Sequence, residues 1–366
     1  MPTVKTQNLI TSTVTAFVAA SSLSASAIAG TIRHDQPDAL YTNLANENQF
    51  ASVGRLDLTF TTKLNPFVCS GTLIRANWVL TAAHCSEQNQ ASLVSADFII
   101  GGSNYSIKSV FQNKGWASNR NSGAGADIAL YRLSSSISNI NPAKLYSGTD
   151  EHLQVGTYVG FGDTGNGKTG AKEGTKGTKR AGKNTIELGS QFGYSNQVLV
   201  SDFDDPRSVN SSDPSTRPLN LEYQIARGDS GGALFIGGLL AGVNSFIDSP
   251  NHRTGRDDSD YGDISGATRV SSHRKWIRNV IRGLAGTGVL LSLPRTSSNL
   301  GPTTLPELVI DESESIGDLS QPLEEVQDTW DNSEAVPEPT TVVGGLLSLG
   351  GFILARRRRK LAQKQA

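Results

Sequence analysis

The chain has 366 residues, 37% hydrophobic and 18% charged, enough for one large or two smaller globular domains plus tails. Abundant glycine (38 residues) and a single methionine favour a turn-rich, all-β domain over a helical bundle. The net charge of −1 gives no basic excess that would call for nucleic acid. It is also uneven: the tail after Pro339 is basic and free of acids, so a processed protein would be clearly acidic.

Residues 1–29 carry Lys5 near the start, an apolar stretch at Ala16–Ala20, and small residues at Ala25-Ser26-Ala27 and Ala27-Ile28-Ala29. This layout predicts a secretory signal peptide, removed by signal peptidase at one of two candidate positions. Only two cysteines occur, Cys69 and Cys85, and export makes a disulfide between them the expected state.

Residues 30–285 form the predicted folded domain. Short apolar runs at Trp78–Leu80, Phe98–Ile100, Ile128–Tyr131, Tyr158–Phe161, Gln197–Val200 and Leu234–Phe235 alternate with Gly, Asn, Ser and Asp turns and read as strands. Many short strands at loose intervals suggest a sandwich or a pair of barrels. The Gly/Lys/Thr-rich run Gly165–Lys183 reads as a mobile surface loop. Ser271–Arg282 places Trp276, Ile277, Val280 and Ile281 at helical spacing and predicts a terminal amphipathic helix. Residues 286–335, rich in Pro, Ser, Glu and Asp from Thr296 onward, read as an acidic linker.

Three motifs carry chemistry. In Gly228-Asp229-Ser230-Gly231-Gly232 the glycines allow a tight turn that exposes Ser230 and aims the amides of Gly228 and Ser230 at one point, as an oxyanion hole requires. The apolar run Asn77–Ala83 delivers His84 to a bend that Cys85 can tie back to Cys69; closing such a loop is worth roughly 3 kcal/mol in the chain-entropy model. Asp127 stands directly ahead of the apolar Ile128-Ala129-Leu130. The order His84, Asp127, Ser230 is that of chymotrypsin, not of subtilisin or the α/β-hydrolases.

On these residues the chain resembles the trypsin-like serine protease family over roughly Thr31–Gly283. Ser70-Gly71-Thr72-Leu73-Ile74, Leu80–Cys85, Asp127–Leu130, Gly160-Phe161-Gly162, Gly228–Gly232 and Thr268-Arg269-Val270-Ser271 leading into Trp276-Ile277 carry the likeness. It implies two six-stranded antiparallel β-barrels with a C-terminal helix, and a triad in the cleft between the barrels acting on polypeptide substrates without a cofactor. It also implies that Asp229 pairs with the free amino terminus of the active enzyme. Cleavage after Ala27 would expose Ile28-Ala29-Gly30-Thr31, similar to the family's Ile-Val-Gly-Gly start. Gln224 falls at the base of the primary pocket, where trypsin has an acid; Ser245-Phe246-Ile247 corresponds to the substrate-aligning strand, and Ser265 to the far wall. A neutral amide does not pair with Lys or Arg as a carboxylate does, so the expectation is a preference for small or medium uncharged residues. Ala226 and Ala233 depart from the family's cysteine and proline. Asp257, Asp258, Asp260 and Asp263 show no ordered calcium-ligand spacing and read as a solvated loop, so no metal is expected.

Val336-Pro337-Glu338-Pro339 precedes the uncharged stretch Thr340–Ala355, then Arg356–Arg359 and Lys360. As a helix that stretch would span ~24 Å, short of a ~30 Å hydrocarbon core unless arginines snorkel. Residues 336–360 resemble the PEP-CTERM sorting signal of exopolysaccharide-producing Gram-negative bacteria and cyanobacteria, with 361–366 a cytoplasmic tail. The resemblance implies export, transient anchoring in the inner membrane and processing by an exosortase. Two other classes fit less well: a catalytically silent protease-fold protein displayed at the cell surface, and an exported esterase, which the triad order disfavours.

Overall fold

The computed structural model describes residues 30–62, 66–87, 91–207, 214–249, 258–284 and 289–293. All of them fall within one compact unit. The predicted signal peptide and the linker, sorting box and sorting helix from residue 294 onward lie outside the described residues. Among those described, no helix is long and apolar enough to cross a membrane.

In chain order the first half comprises β1 (Gly30–Ile32), α1 (Asp38–Ala45), β2 (Val53–Phe60), β3 (Phe67–Arg75), β4 (Trp78–Thr81), β5 (Leu93–Ile100), β6 (Ser103–Gln112), α2 (Lys114–Asn119) and β7 (Ala129–Leu133). The second comprises β8 (Val155–Gly160), β9 (Thr164–Asn166), β10 (Gly170–Lys172), β11 (Arg180–Thr185), β12 (Glu187–Leu188), β13 (Val198–Asp202), β14 (Tyr223–Gln224), β15 (Ala233–Ile236), β16 (Leu239–Asp248), β17 (Ile264–Arg269), α3 (Arg274–Ile281) and β18 (Val289–Ser292).

The strands form two barrel-like antiparallel sheets and a smaller third sheet. The first runs β18-β6-β5-β2-β3-β4-β7, and a further β6–β7 pairing closes the six strands other than β18 on themselves. In β2 a buried residue alternates with a half-buried one from Arg55 to Phe60, the period-two pattern of a strand with one face on a core. Leu56, Leu58, Leu73, Val79, Phe98 and Tyr131, which the strand register puts on one face, are fully buried there. The second runs β11-β8-β15-β16-β17-β13-β12. Its two end strands are separated in the chain by Ile186 alone, so one bent run of chain supplies both edges. Tyr158, Ile186, Leu199, Tyr223 and Leu234 lie in its core. This all-β architecture with its terminal helix is the one expected, and α3 occupies the middle of the predicted helical span. Strand β18, past Ala285, extends the first sheet along β6.

The third sheet, β10-β9-β1-β14, is where composition misled. The run from Gly165, expected to be a surface loop, supplies most of β9, all of β10 and the start of β11. Strand β1 lies between β9 and β14, parallel to the first and antiparallel to the second, with Thr31 opposite Gln224 and Ile32 opposite Tyr223. The start of the domain is thus threaded beside the loop that carries Ser230.

Candidate active site

His84 sits on a short 3₁₀ turn, Ala83–Ser86, directly after β4. Within the turn Ser86 Oγ donates to Ala83 O, and Gln112 Nε2 donates to both Ser86 Oγ and Glu87 Oε1. The expected disulfide joins Cys85 to Cys69 on β3, across a sequence separation of 16. The backbone of His84 is therefore tied to the first sheet from both sides.

Asp127 precedes β7 and is fully buried. Its Oδ1 accepts the His84 backbone N–H at 2.9 Å, and its Oδ2 lies 2.7 Å from His84 Nδ1. With Nδ1 engaged as donor, the imidazole leaves Nε2 free to act as a base. Burial disfavours charge on either ring or carboxylate. The attraction between the two and their hydrogen bonds outweigh it, raising the His84 pKa above 6.5 and lowering that of Asp127 below 3.8.

Two residues of the second sheet hold Asp127. Ser245 Oγ donates to Oδ2 at 2.5 Å, and Thr268 Oγ1 donates to the Asp127 carbonyl oxygen at 2.9 Å. The pairing of β16 with β17 slips between Asn244 and Phe246, so Ser245 is a bulge residue, and a bulge re-aims a side chain out of the regular alternation. Sequence reasoning placed Ser245 on the substrate strand; its side chain engages Asp127, a contact that reasoning did not foresee. The role of Thr268 was missed, although the residue opens the motif Thr268-Arg269-Val270-Ser271.

Ser230 lies on the loop between β14 and β15. Its carbonyl oxygen accepts from Ser70 N–H at 2.8 Å and sits 3.7 Å from Cys85 Sγ, in the residue next to His84. That sulfur is spent in the disulfide and has no proton to donate. Gly231, at φ 78°, passes so close to β3 and β4 that an added Cβ would fall 2.0 Å from Thr81 Oγ1 and 2.3 Å from Ser70 O. Ser70 Oγ in turn donates to Gly228 O and accepts from Phe161 N–H. The N–H groups of Gly228 and Ser230 donate to no acceptor among the described residues. The structure thus brings the His84 turn, Asp127 and the Ser230 loop to one junction between the two barrel-like sheets.

Asp229, expected to meet a terminal ammonium, is fully buried and accepts from Gly162 N–H, Ala226 N–H and the Tyr223 hydroxyl. Ile28, the expected partner, lies outside the described residues.

Gln224 is buried on β14. Its Oε1 accepts from Ser265 Oγ at 2.7 Å, and Ser265 Oγ accepts from Ile225 N–H at 3.2 Å. Ile247 pairs with Ser265 across β16 and β17, while Phe246 packs edge-on against Tyr194. Beside them an open cleft of about 480 Å³ is lined by Asp163, Glu173, Arg227, Ile247 and Ser259, among others.

Two groups of metal-ligating side chains converge among the described residues. Cys69, His84 and Cys85 are one, with both sulfurs in the disulfide; Asp258, Asp260 and Asp263 are the other. The Asp263 carboxylate is taken up by the chain's own donors, Ser249 Oγ and the N–H groups of Ser259 and Asp260. Asp257 lies outside the described residues.

A family model described as Trypsin matches residues 45–277. Trypsin alpha of Drosophila melanogaster is 30% identical over 188 residues, spanning 49% of this chain and 67% of the relative. Chymotrypsin-like elastase family member 1 of Felis catus is 30% identical over 227 residues, spanning 58% and 78%. A solved structure of HL collagenase is similar with a TM-score of 0.47 and 21% identity, covering 70% of this chain and 99% of its own.

Proposed function

The chain belongs to the trypsin family of serine-type endopeptidases, and on that premise we propose that it cleaves polypeptides through a His84–Asp127–Ser230 triad. The observation that carries the reading is the bidentate hold of Asp127 on His84, beside the loop that bears Ser230. His84 Nε2 takes the Ser230 hydroxyl proton as Oγ attacks the scissile carbonyl carbon. The C–N bond then breaks, and the departing amine receives the same proton, leaving an acyl ester on Ser230. Water, deprotonated in turn by His84, attacks the ester carbonyl; the proton returns to Oγ and the carboxylic product is freed. Asp127 fixes the tautomer and stabilises the imidazolium. The amides of Gly228 and Ser230, which have no acceptor among the described residues, receive the negative charge on the tetrahedral oxygen.

The neutral Gln224, already engaged with Ser265, supports a primary pocket that disfavours Lys and Arg and takes small or medium uncharged side chains. Residues 1–29 and 336–360 direct the protein out of the cytoplasm and to exosortase-dependent sorting in a Gram-negative bacterium or cyanobacterium; this rests on the sequence motifs described above.

The test is labelling of purified protein by a fluorophosphonate probe, which reacts only with an activated serine. Labelling that vanishes in Ser230→Ala supports the triad. Folded, unlabelled wild-type protein would move the reading to a silent protease fold displayed at the cell surface.

A further inference from the structure

Asp229 stands between Gly228 and Ser230, so whatever holds its carboxylate also holds the two amides of the oxyanion site. Gly162 N–H reaches Oδ1 at 2.8 Å; Ala226 N–H and the Tyr223 hydroxyl reach Oδ2 at 2.9 and 3.2 Å. Two of these donors are loop backbone. The third is a side chain rooted in a strand.

Tyr223 has little freedom to move. It is fully buried on β14, paired with Ile32, with its ring stacked beside that of Tyr158. The β-carbon side of the residue is closed by Gly182, where an added Cβ would lie 2.4 Å from Tyr223 Cβ. Its hydroxyl end is closed by Gly30: a Cβ added there would fall 2.0 Å from the phenol oxygen. Gly30 also adopts φ 60°, which glycine tolerates and side chains disfavour. Arg180, buried and ion-paired with Asp38, contributes positive charge to the same neighbourhood. Burial pushes the Asp229 pKa up to about 6, against the pull of its donors. Burial, with the nearby Asp229 charge, holds the Tyr223 proton well above pH 10.

We infer that Tyr223 is the positioning residue that orders the Ser230 loop, its hydroxyl pressed onto Asp229 by Gly30. This rests on the endopeptidase reading. The seating of β1 against Tyr223 is thereby coupled to the order of that loop.

The test uses the purified full chain, Tyr223→Phe and Gly30→Ala, with two readouts. Amide hydrogen exchange across residues 226–232 reports loop order, and the rate of fluorophosphonate labelling reports the assembled site. Both variants are expected to exchange faster through the loop and to label roughly tenfold more slowly, the scale of one hydrogen bond to a buried charge. Wild-type exchange and labelling in Tyr223→Phe overturn the inference. If Tyr223→Phe does not fold, Gly30→Ala still decides. Wild-type protein that never labels sinks the endopeptidase reading, and loop exchange alone then judges Tyr223.

Discussion

Ser245 donates its hydroxyl to Asp127 Oδ2 across 2.5 Å, on the same oxygen that faces His84 Nδ1. The two residues are 118 positions apart and come from different sheets, so the contact fastens one barrel's acid to the other barrel's strand. Ser245→Ala deletes one of the donors that lower the Asp127 pKa. The expected result is a kcat reduced roughly tenfold, with KM changed far less, since a hydrogen bond to a charged group contributes about 1.5–3 kcal/mol. Ser245→Thr keeps the hydroxyl and should recover most of the loss. Steady-state kinetics on an uncharged peptide substrate checks this, and an unaltered kcat in the alanine variant sinks the brace.

His84 must be neutral to accept the Ser230 proton, which gives the pH dependence its sign. Burial resists its protonation, but the Asp127 charge and hydrogen bond prevail and raise its pKa above 6.5. Activity should therefore rise with pH along a limb whose midpoint lies above 6.5. In Asp127→Asn the opposing charge is gone and burial dominates, so the midpoint moves down while kcat drops, by roughly 10⁴ where such a substitution also disturbs the tautomer. A pH–rate profile of kcat/KM measures both. A wild-type midpoint at or below 6.5 contradicts the charged pairing.

The chemistry-bearing motifs were legible because each is local. The run into His84-Cys85, the acid ahead of β7 and the glycines around Ser230 announce themselves within a few residues. The strands followed from apolar runs, and the helix from the spacing of Ile277 and Val280, both buried in α3. Contacts between distant segments were not legible. Nothing near Ser245 points to Asp127, because the β16 bulge that turns it inward depends on pairing with β17. Strands β9 and β10, three residues each, are too short for periodicity, and their Gly, Lys and Thr content reads as loop. The seating of β1 against Tyr223 is invisible in sequence for the same reason.

Primary specificity should turn on Ile247 and Gln224. Ile247 is packed against the second barrel's core and faces Ser265 across the β16–β17 pairing, next to buried Gln224. Ile247→Gly should open room for larger side chains. We expect relative kcat/KM for a phenylalanyl over an alanyl peptide to rise about tenfold, a change of the size that one or two methylene groups of pocket volume control. Gln224 offers no negative charge, so an arginyl peptide should remain the poorest substrate in wild type and in this variant. Efficient cleavage after arginine would overturn the pocket assignment.

The Asp229 carboxylate should leave a mark on stability. Its folded pKa, about 6, lies above the ordinary 3.8, so the folded state holds that proton more tightly than the unfolded chain does. The sign follows: this contribution is complete below pH ~3.8 and is lost as pH rises through about 6. Asp229→Asn removes the ionisation while keeping a polar group in place. Its stability, relative to wild type, should improve on going from pH 5 to pH 7, while labelling of Ser230 falls because the carboxylate's three donors lose their charged acceptor. Chemical denaturation at the two pH values measures the first effect; a difference independent of pH would assign the burial cost elsewhere.

The Cys69–Cys85 bridge should couple stability to catalysis. It closes a short loop, and in the chain-entropy model this is worth roughly 3 kcal/mol through the unfolded state. For a domain of this size that corresponds to a Tm lower by about 6–12 °C when the bridge is lost. Entropy alone would leave the folded site untouched, but Cys85 is the neighbour of His84 and its sulfur lies against the Ser230 carbonyl. Cys69→Ser with Cys85→Ser should therefore also lower kcat at temperatures where the protein is fully folded. Thermal unfolding and kinetics on the double variant separate the two effects. A Tm loss with wild-type kcat would reduce the bridge to a stability element, whereas loss of both makes it part of the scaffold that aims His84 at Ser230.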